Sequence, residues 1–169
     1  MNRSASGGQP DIRIASTPAD IDHARTLFIE YMTWLNVDLC FQGVDQELAN
    51  LPGAYAPPTG RLLLAAGSDS VDPAGCVAVR ALPYEADGKS SELKRLWVRP
   101  QFRGQRIGHA LTAAALDAAR AIGYRSIKLD TLPHVMPNAV AMYRSFGFIE
   151  CAPYYHNPIA GCLYMECVL

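Results

Sequence analysis

No part of this 169-residue chain stays apolar for long. The longest clean run, Leu62 to Ala66, falls far short of the about 20 residues that a helix needs to cross a bilayer. Met1 to Gln9 is polar, rich in Ser and Gly, and has no apolar core for a secretory signal. A cytoplasmic protein with no membrane partner is expected. An excess of one charge is missing too: formal net charge is -1, and charged residues make up 18% of the chain. That balance argues against a broad basic face for nucleic acid. The five cysteines, Cys40, Cys76, Cys151, Cys162 and Cys167, include no C-x-x-C pair and no metal-ligand spacing. They are expected to be buried, reduced thiols with no metal. A Walker A loop would need Gly-Lys-Ser/Thr, which is absent, and so is the dinucleotide fingerprint G-x-G-x-x-G.

What is present points to a globular fold. Half of the residues are apolar, enough to bury a core. The length suits one domain, expected over residues 11–169 behind a disordered tail at residues 1–10. Asp11 to Ala15 alternates like a strand. Ser16-Thr17-Pro18 supplies a capping hydroxyl and a first-turn proline to a helix reaching about Leu35. A short helix is expected from Asp45 to Leu51. Strands are expected at Arg61 to Ala66, Gly75 to Leu82 and Ser90 to Val98. The first two form a hairpin around Gly67 to Pro73. A long helix begins near Gln105 or Arg106, with Ile107, Ala110, Leu111, Ala114, Ala118 and Ile122 at a period of about 3.6. Gly123 closes it. A strand follows at Arg125 to Asp130, a helix from Pro137 to about Phe146, then strands at Phe148 to Ala152 and Leu163 to Val168. Consecutive strands imply antiparallel pairing and helical crossovers imply parallel pairing. The expected fold is α/β (α+β by some schemes), with a mixed, largely antiparallel sheet of about six to seven strands and helices on both faces.

Chemistry concentrates between Glu92 and Leu111. A strand ends at Val98, and Arg99-Pro100 breaks it. Arg103-Gly104-Gln105-Arg106-Ile107-Gly108 then leads into the long helix. Unpaired N–H groups of a first helical turn carry about half a positive charge in sum and favour phosphate. Gly104 and Gly108 let a diphosphate approach the main chain. Lys94, Arg95, Arg99, Arg103 and Arg106 add local positive charge. An ordinary basic loop at a helix start would look the same.

Taken together these segments resemble the GNAT superfamily of acetyl-CoA-dependent N-acetyltransferases. In that family a strand is followed by Arg/Gln-x-x-Gly-x-Gly/Ala at a helix start. Arg103 fills the first position, Gly108 the last, and Arg106 stands where the middle glycine is usual. Glu92 to Pro100 resembles the family's fourth strand. Ala141 to Phe148 resembles the helix and strand after the cofactor site. The resemblance covers residues 11–169 and implies a GNAT-like fold with acetyl-CoA as cosubstrate. It implies that residues 103–108 hold the pyrophosphate and that main-chain groups of Leu96, Trp97 and Val98 pair with the pantetheine arm. Tyr143 would give a proton to the leaving thiolate, and Glu92 would help deprotonate the amine. Tyr143 can also be a core aromatic, but its placement shortly before Gly147-Phe148 matches the family and favours the catalytic role; Glu92 can equally be half of a cross-strand ion pair. Asn138 lies near the position of a family cofactor asparagine, where this chain has Met136; it can also cap its helix. Asp38 to Gln42 and Pro153 to Pro158 would line the acceptor pocket, which makes Phe41, Gln42, Tyr154 and Tyr155 substrate candidates, or plain loop packing. The implied reaction moves acetyl to a primary amine, on a small molecule or a peptide, by direct attack in a ternary complex. The rival reading is a non-catalytic acyl-CoA-binding regulatory module. A homodimer accords with a family in which dimers are common.

Overall fold

The computed structural model describes residues 10–67, 70–85 and 87–169, with the side chains of Phe41, Ser70 and Val71 outside the described part. The tail expected at residues 1–10 falls outside it too, apart from Pro10. The first strand, β1 (Ile12–Ile14), leads into helix α1 (Pro18–Leu35). Thr17 caps α1 as its sequence suggests: its hydroxyl accepts from the Asp20 amide, and Asp20 Oδ2 accepts from the Ser16 and Thr17 amides at 3.0 and 3.1 Å. The αL conformation of Asn36 ends the helix. A 3-10 turn (Cys40–Gln42) and helix α2 (Val44–Ala49) follow, then strands β2 (Arg61–Gly67), β3 (Ser70–Ala81) and β4 (Ser90–Val98). β3 begins earlier than Gly75. Residues 70–73, expected in the turn, continue the strand, and Ser70 pairs with Gly67 across a register shift. Helix α3 (Ile107–Ile122), strand β5 (Ser126–Thr131), helix α4 (Pro137–Ser145), and strands β6 (Ile149–Glu150) and β7 (Leu163–Val168) complete the chain.

The seven strands form one sheet in the order β1-β2-β3-β4-β5-β7-β6. Among the described residues only β4 and β5 pair in parallel. Period-two alternation sorts the core into two layers. Leu62, Leu64, Cys76 and Ala78 pack with Ala24, Leu27 and Phe28 of α1. Leu63, Ala65, Val77 and Val79 pack on the other face with α3, Val140 and Tyr143. The buried stripe of α3 is Ile107, Leu111, Thr112, Ala115, Leu116 and Ala119. It is rotated from the expected one because alanines lie all round this helix and do not mark a face. Thr112 tolerates burial by donating to the Gly108 carbonyl at 2.8 Å.

Two departures from regularity open the sheet. Between β3 and β4 the register runs Cys76↔Trp97 and then Ala78↔Lys94, so β4 carries one extra residue. Arg95, at φ +57°, sits in that bulge. β4 and β5 pair only from Ser90↔Ser126 to Glu92↔Lys128. Beyond Glu92 the two strands part, and the β5-facing edge of β4 is left without a strand partner.

Candidate active site

The gap between β4 and β5 leads into a cleft of about 500 Å³. Leu96, Trp97 and Val98 form one wall. Arg103, Gly104, Arg106, Ile107 and Gly108 form the floor, and Met136, Asn138 and Met142 lie opposite. An open strand edge beside a cleft can receive an extended ligand through main-chain hydrogen bonds, as an added strand would.

The floor is made of helix-start amides. Arg106 is the N-cap of α3 and offers no side-chain cap. The first α3-type bond runs from the Ala110 amide to the Arg106 carbonyl at 3.0 Å. Among the described residues, the amides of residues 104–109 have no acceptor within the protein. Gly104 at φ +79° and Arg106 at φ +61° put two left-handed residues into this short stretch, the kind of turn that makes anion-binding concavities. The second of these explains why glycine suits position 106. An L side chain in the left-handed region costs about 1–2 kcal/mol, and here an arginine adopts it. The bound positive charge is narrower than the sequence suggests. Lys94, Arg95 and Arg99 are engaged by Asp130, Glu47 and Glu30. Of the five basic residues only Arg103 and Arg106 line the cleft. Arg103 lies over the rings of Trp34 and Trp97 at 5.1 and 4.9 Å and donates to the Val98 carbonyl at 3.2 Å. Asn138 lines the cleft from the first turn of α4. Its own helix is capped by Met136 without a side-chain bond, so Asn138 is not the cap.

A second cavity, about 50 Å³, adjoins the cleft deeper between β4 and β5. Tyr31, Leu96 and Met136 line both. Tyr143 borders the small cavity from α4, packed edge-tilted on Phe148 with 5.5 Å between ring centres. Burial pushes its hydroxyl above the ordinary tyrosine value, with the charge of Asp130 adding to the effect. The phenol therefore holds its proton at neutral pH. Asp130 also borders the cavity. It accepts from Lys94 at 3.2 Å, from the Tyr155 hydroxyl at 2.9 Å and from Asn157 at 3.2 Å. Burial alone would raise its pKa, but the Lys94 charge and these bonds hold it below the usual carboxylate value.

Glu92 is fully buried and borders none of these cavities. Its register partner on β3 is Arg80, which binds Oε2 through Nε at 2.8 Å and Nη2 at 2.7 Å. Oε1 accepts from Tyr154 at 3.1 Å and lies 3.6 Å from Lys94. Of the two roles open to Glu92, base or cross-strand ion pair, these contacts are the ones an ion pair makes. The substrate candidates separate in the same way. Tyr154 contacts Glu92, Tyr155 contacts Asp130, and Gln42 borders the small cavity while donating to Tyr155 at 3.2 Å. Phe41's side chain lies outside the described part. Asp130 was not among the sequence candidates. The signal for it was the alternation of β5, which puts Lys128 and Asp130 on the face opposite Ile127 and Leu129. The cysteines are all free, but Cys40 is exposed and only Cys76 and Cys167 are buried. Among the described residues no helix is long and apolar enough to cross a membrane.

The chain is similar to known proteins. The acetyltransferase (GNAT) family model matches residues 26–148. An uncharacterised N-acetyltransferase of Schizosaccharomyces pombe is 42% identical over 155 residues, 92% of each chain. An uncharacterised N-acetyltransferase of Dictyostelium discoideum is 29% identical over 87% of this chain and 93% of its own. A solved structure named for an acyl-CoA N-acyltransferase of Klebsiella pneumoniae superposes with a TM-score of 0.71 at 26% identity, covering 95% of this chain and 98% of that one. The chain belongs to the GNAT family of acetyltransferases.

Proposed function

We propose that this protein transfers an acetyl group from acetyl-CoA to a primary amine by direct attack within a ternary complex. One observation carries the reading: among the described residues the amides of residues 104–109 meet no acceptor, and Gly104, Arg106, Ile107 and Gly108 line the same cleft as Leu96, Trp97 and Val98 of β4, a cleft that shares Tyr31, Leu96 and Met136 with the small cavity bordered by Tyr143. Residues present in the cleft fit the cosubstrate. The amides around Gly104 to Gly108, with Arg103 and Arg106, would hold the pyrophosphate. Main-chain groups of Leu96, Trp97 and Val98 would line up the pantetheine arm, and Asn138 would face it from α4. Bound there, acetyl-CoA would supply an activated acyl carbon.

The chain's own groups then account for the remaining steps. An alkylammonium must pass one proton to solvent or a base before its nitrogen can attack; the new C–N bond forms as the C–S bond breaks, and the nitrogen gives up a second proton the same way to become a neutral amide. Tyr143, protonated at neutral pH, gives its phenolic proton to the departing sulfur and regains one from solvent. Such a positioned acid is worth about 10²–10⁴ in rate. Glu92 enters as a fixed negative charge joined to Tyr154, and its share in taking the amine proton is checked by Glu92→Gln. Holding amine and acyl carbon together in a site screened from water supplies much of the rest. Incubation with acetyl-CoA and an amine panel, read by mass spectrometry, tests the reading. Acetylated product is expected. Tight binding of CoA without any product would instead favour a regulatory acyl-CoA-binding module.

A further inference from the structure

The small cavity restricts what the acceptor can be. We infer that the attacking nitrogen docks on the side-chain oxygen of Gln42, and that the acceptor is a primary amine carried on an unbranched carbon, R–CH2–NH2. This rests on the transferase reading above.

The first support is an unmet hydrogen bond. Gln42 borders the cavity, and its Oε1 is buried with no partner among the described residues. An orphaned buried acceptor is costly, and an N–H donor arriving in the cavity would relieve that cost. The orientation of the amide follows from its neighbours. Tyr155 has one hydroxyl proton and donates it to Asp130 at 2.9 Å. It must therefore accept from Gln42 Nε2 at 3.2 Å and from Asn157 Nδ2 at 3.1 Å. Asp130 and Tyr155 are thus positioning residues: they turn the amide nitrogen of Gln42 toward Tyr155 and leave the oxygen for the acceptor. An amine that has lost one proton to become nucleophilic still has N–H bonds to give to that oxygen.

The second support is size and charge. A cavity of about 50 Å³ walled by side chains such as Leu35, Leu39, Leu129 and Ile159 admits a narrow head. Its charged lining residues are Lys94, Arg95 and Asp130. Lys94 and Asp130 satisfy each other, and Arg95 is held by Glu47. No charge in the lining is left over for a carboxylate beside the amine. An α-amino acid, both branched and anionic next to its nitrogen, fits neither property.

The test compares propylamine, isopropylamine and alanine as acceptors, with product read by mass spectrometry. Propylamine is expected to exceed both others in kcat/KM by about tenfold or more, the discrimination that one misplaced carbon brings in a tight pocket. Gln42→Leu is expected to raise the KM for propylamine about tenfold or more, with the KM for acetyl-CoA unchanged. Tyr155→Phe, which frees the amide to turn, should move the same parameter in the same direction. Melting temperature and acetyl-CoA affinity check that both variants are folded. Equal use of the three amines, or an unchanged acceptor KM in Gln42→Leu, overturns the inference and leaves the transferase reading standing. Failure to acetylate any amine overturns it as well; loss of acetyl-CoA binding by the unaltered protein overturns both.

Discussion

The cleft at the start of α3 and the cavity between β4 and β5 meet at Tyr31, Leu96 and Met136, but they are built from different material. The cleft is a main-chain device: unpaired amides, two left-handed residues and an open strand edge within residues 96–109. The cavity is a side-chain device. Tyr143, Asp130, Lys94, Gln42 and Asn157 come from five separate segments; Tyr143 is held by packing on Phe148, and the other four are joined, Gln42 through Tyr155, by ion pairs and hydrogen bonds. A main-chain site tolerates side-chain variation as long as the turn survives. A side-chain site depends on every partner being in place.

The largest test of that contrast is Glu47→Leu. The Arg95 side chain is 3% exposed and donates to both carboxylate oxygens of Glu47, at 3.0 and 2.6 Å. Leaving that buried cation unpaired is expected to cost about 3–5 kcal/mol in a denaturant titration. The bulge at the cavity should lose order while the α3 amides still bind CoA; equal loss at both sites would end the distinction. The same pair sets an acid limit. Burial raises the Glu47 pKa, but the bonds to Arg95 outweigh it and hold the folded value below the usual glutamate range. Its contribution is therefore complete above the unfolded value of about 4.3 and is lost as pH falls through the lower folded value. Unfolding curves collected between neutral pH and pH 3 should show this loss in the native protein and not in Glu47→Leu.

Next in size is Tyr143→Phe. Turnover is expected to fall about 10²-fold or more, with CoA affinity measured by calorimetry unchanged. Because burial raises the Tyr143 pKa, the hydroxyl stays protonated up to at least about pH 10. Its deprotonation should cause no decline in kcat between about pH 8 and 10. Arg103→Ala is a smaller effect, about tenfold weaker CoA binding that shrinks further with added salt. Tryptophan emission should shift as well, since the guanidinium leaves Trp34 and Trp97. Smallest is Arg106→Gly. Removing the left-handed strain is expected to stabilise the fold by up to about 1 kcal/mol in thermal unfolding, at some loss of CoA affinity. Destabilisation would mean that the arginine side chain holds the turn.

Legibility followed the same division. The helix-start loop was readable because its shape depends on glycine spacing and on a strand-to-helix transition, both local properties. The bounds of β4, β7 and the end of α1 were readable for the same reason. Glu92 was ambiguous because a strand position fixes a face but not a partner. Arg80, its partner, is brought opposite only by the β3–β4 register. Asp130 gave no signal beyond alternation, since its importance comes from Lys94, Tyr155 and Asn157 converging on it. The spent charges of Lys94, Arg95 and Arg99 were invisible for a related reason: their carboxylate partners lie 36 to 69 residues away in sequence.

The amino-acid sequence by itself set the order of strands and helices, the two-layered core and a turn that exposes main-chain amides, because hydrophobic period, capping and glycine act over a few neighbouring residues. The tertiary structure alone decided which carboxylates are consumed in pairs and which acceptor oxygen remains unmet beside the cavity. Electrostatic and hydrogen-bond partners act through space, and only the folded sheet, with its bulge at Arg95, brings them within reach.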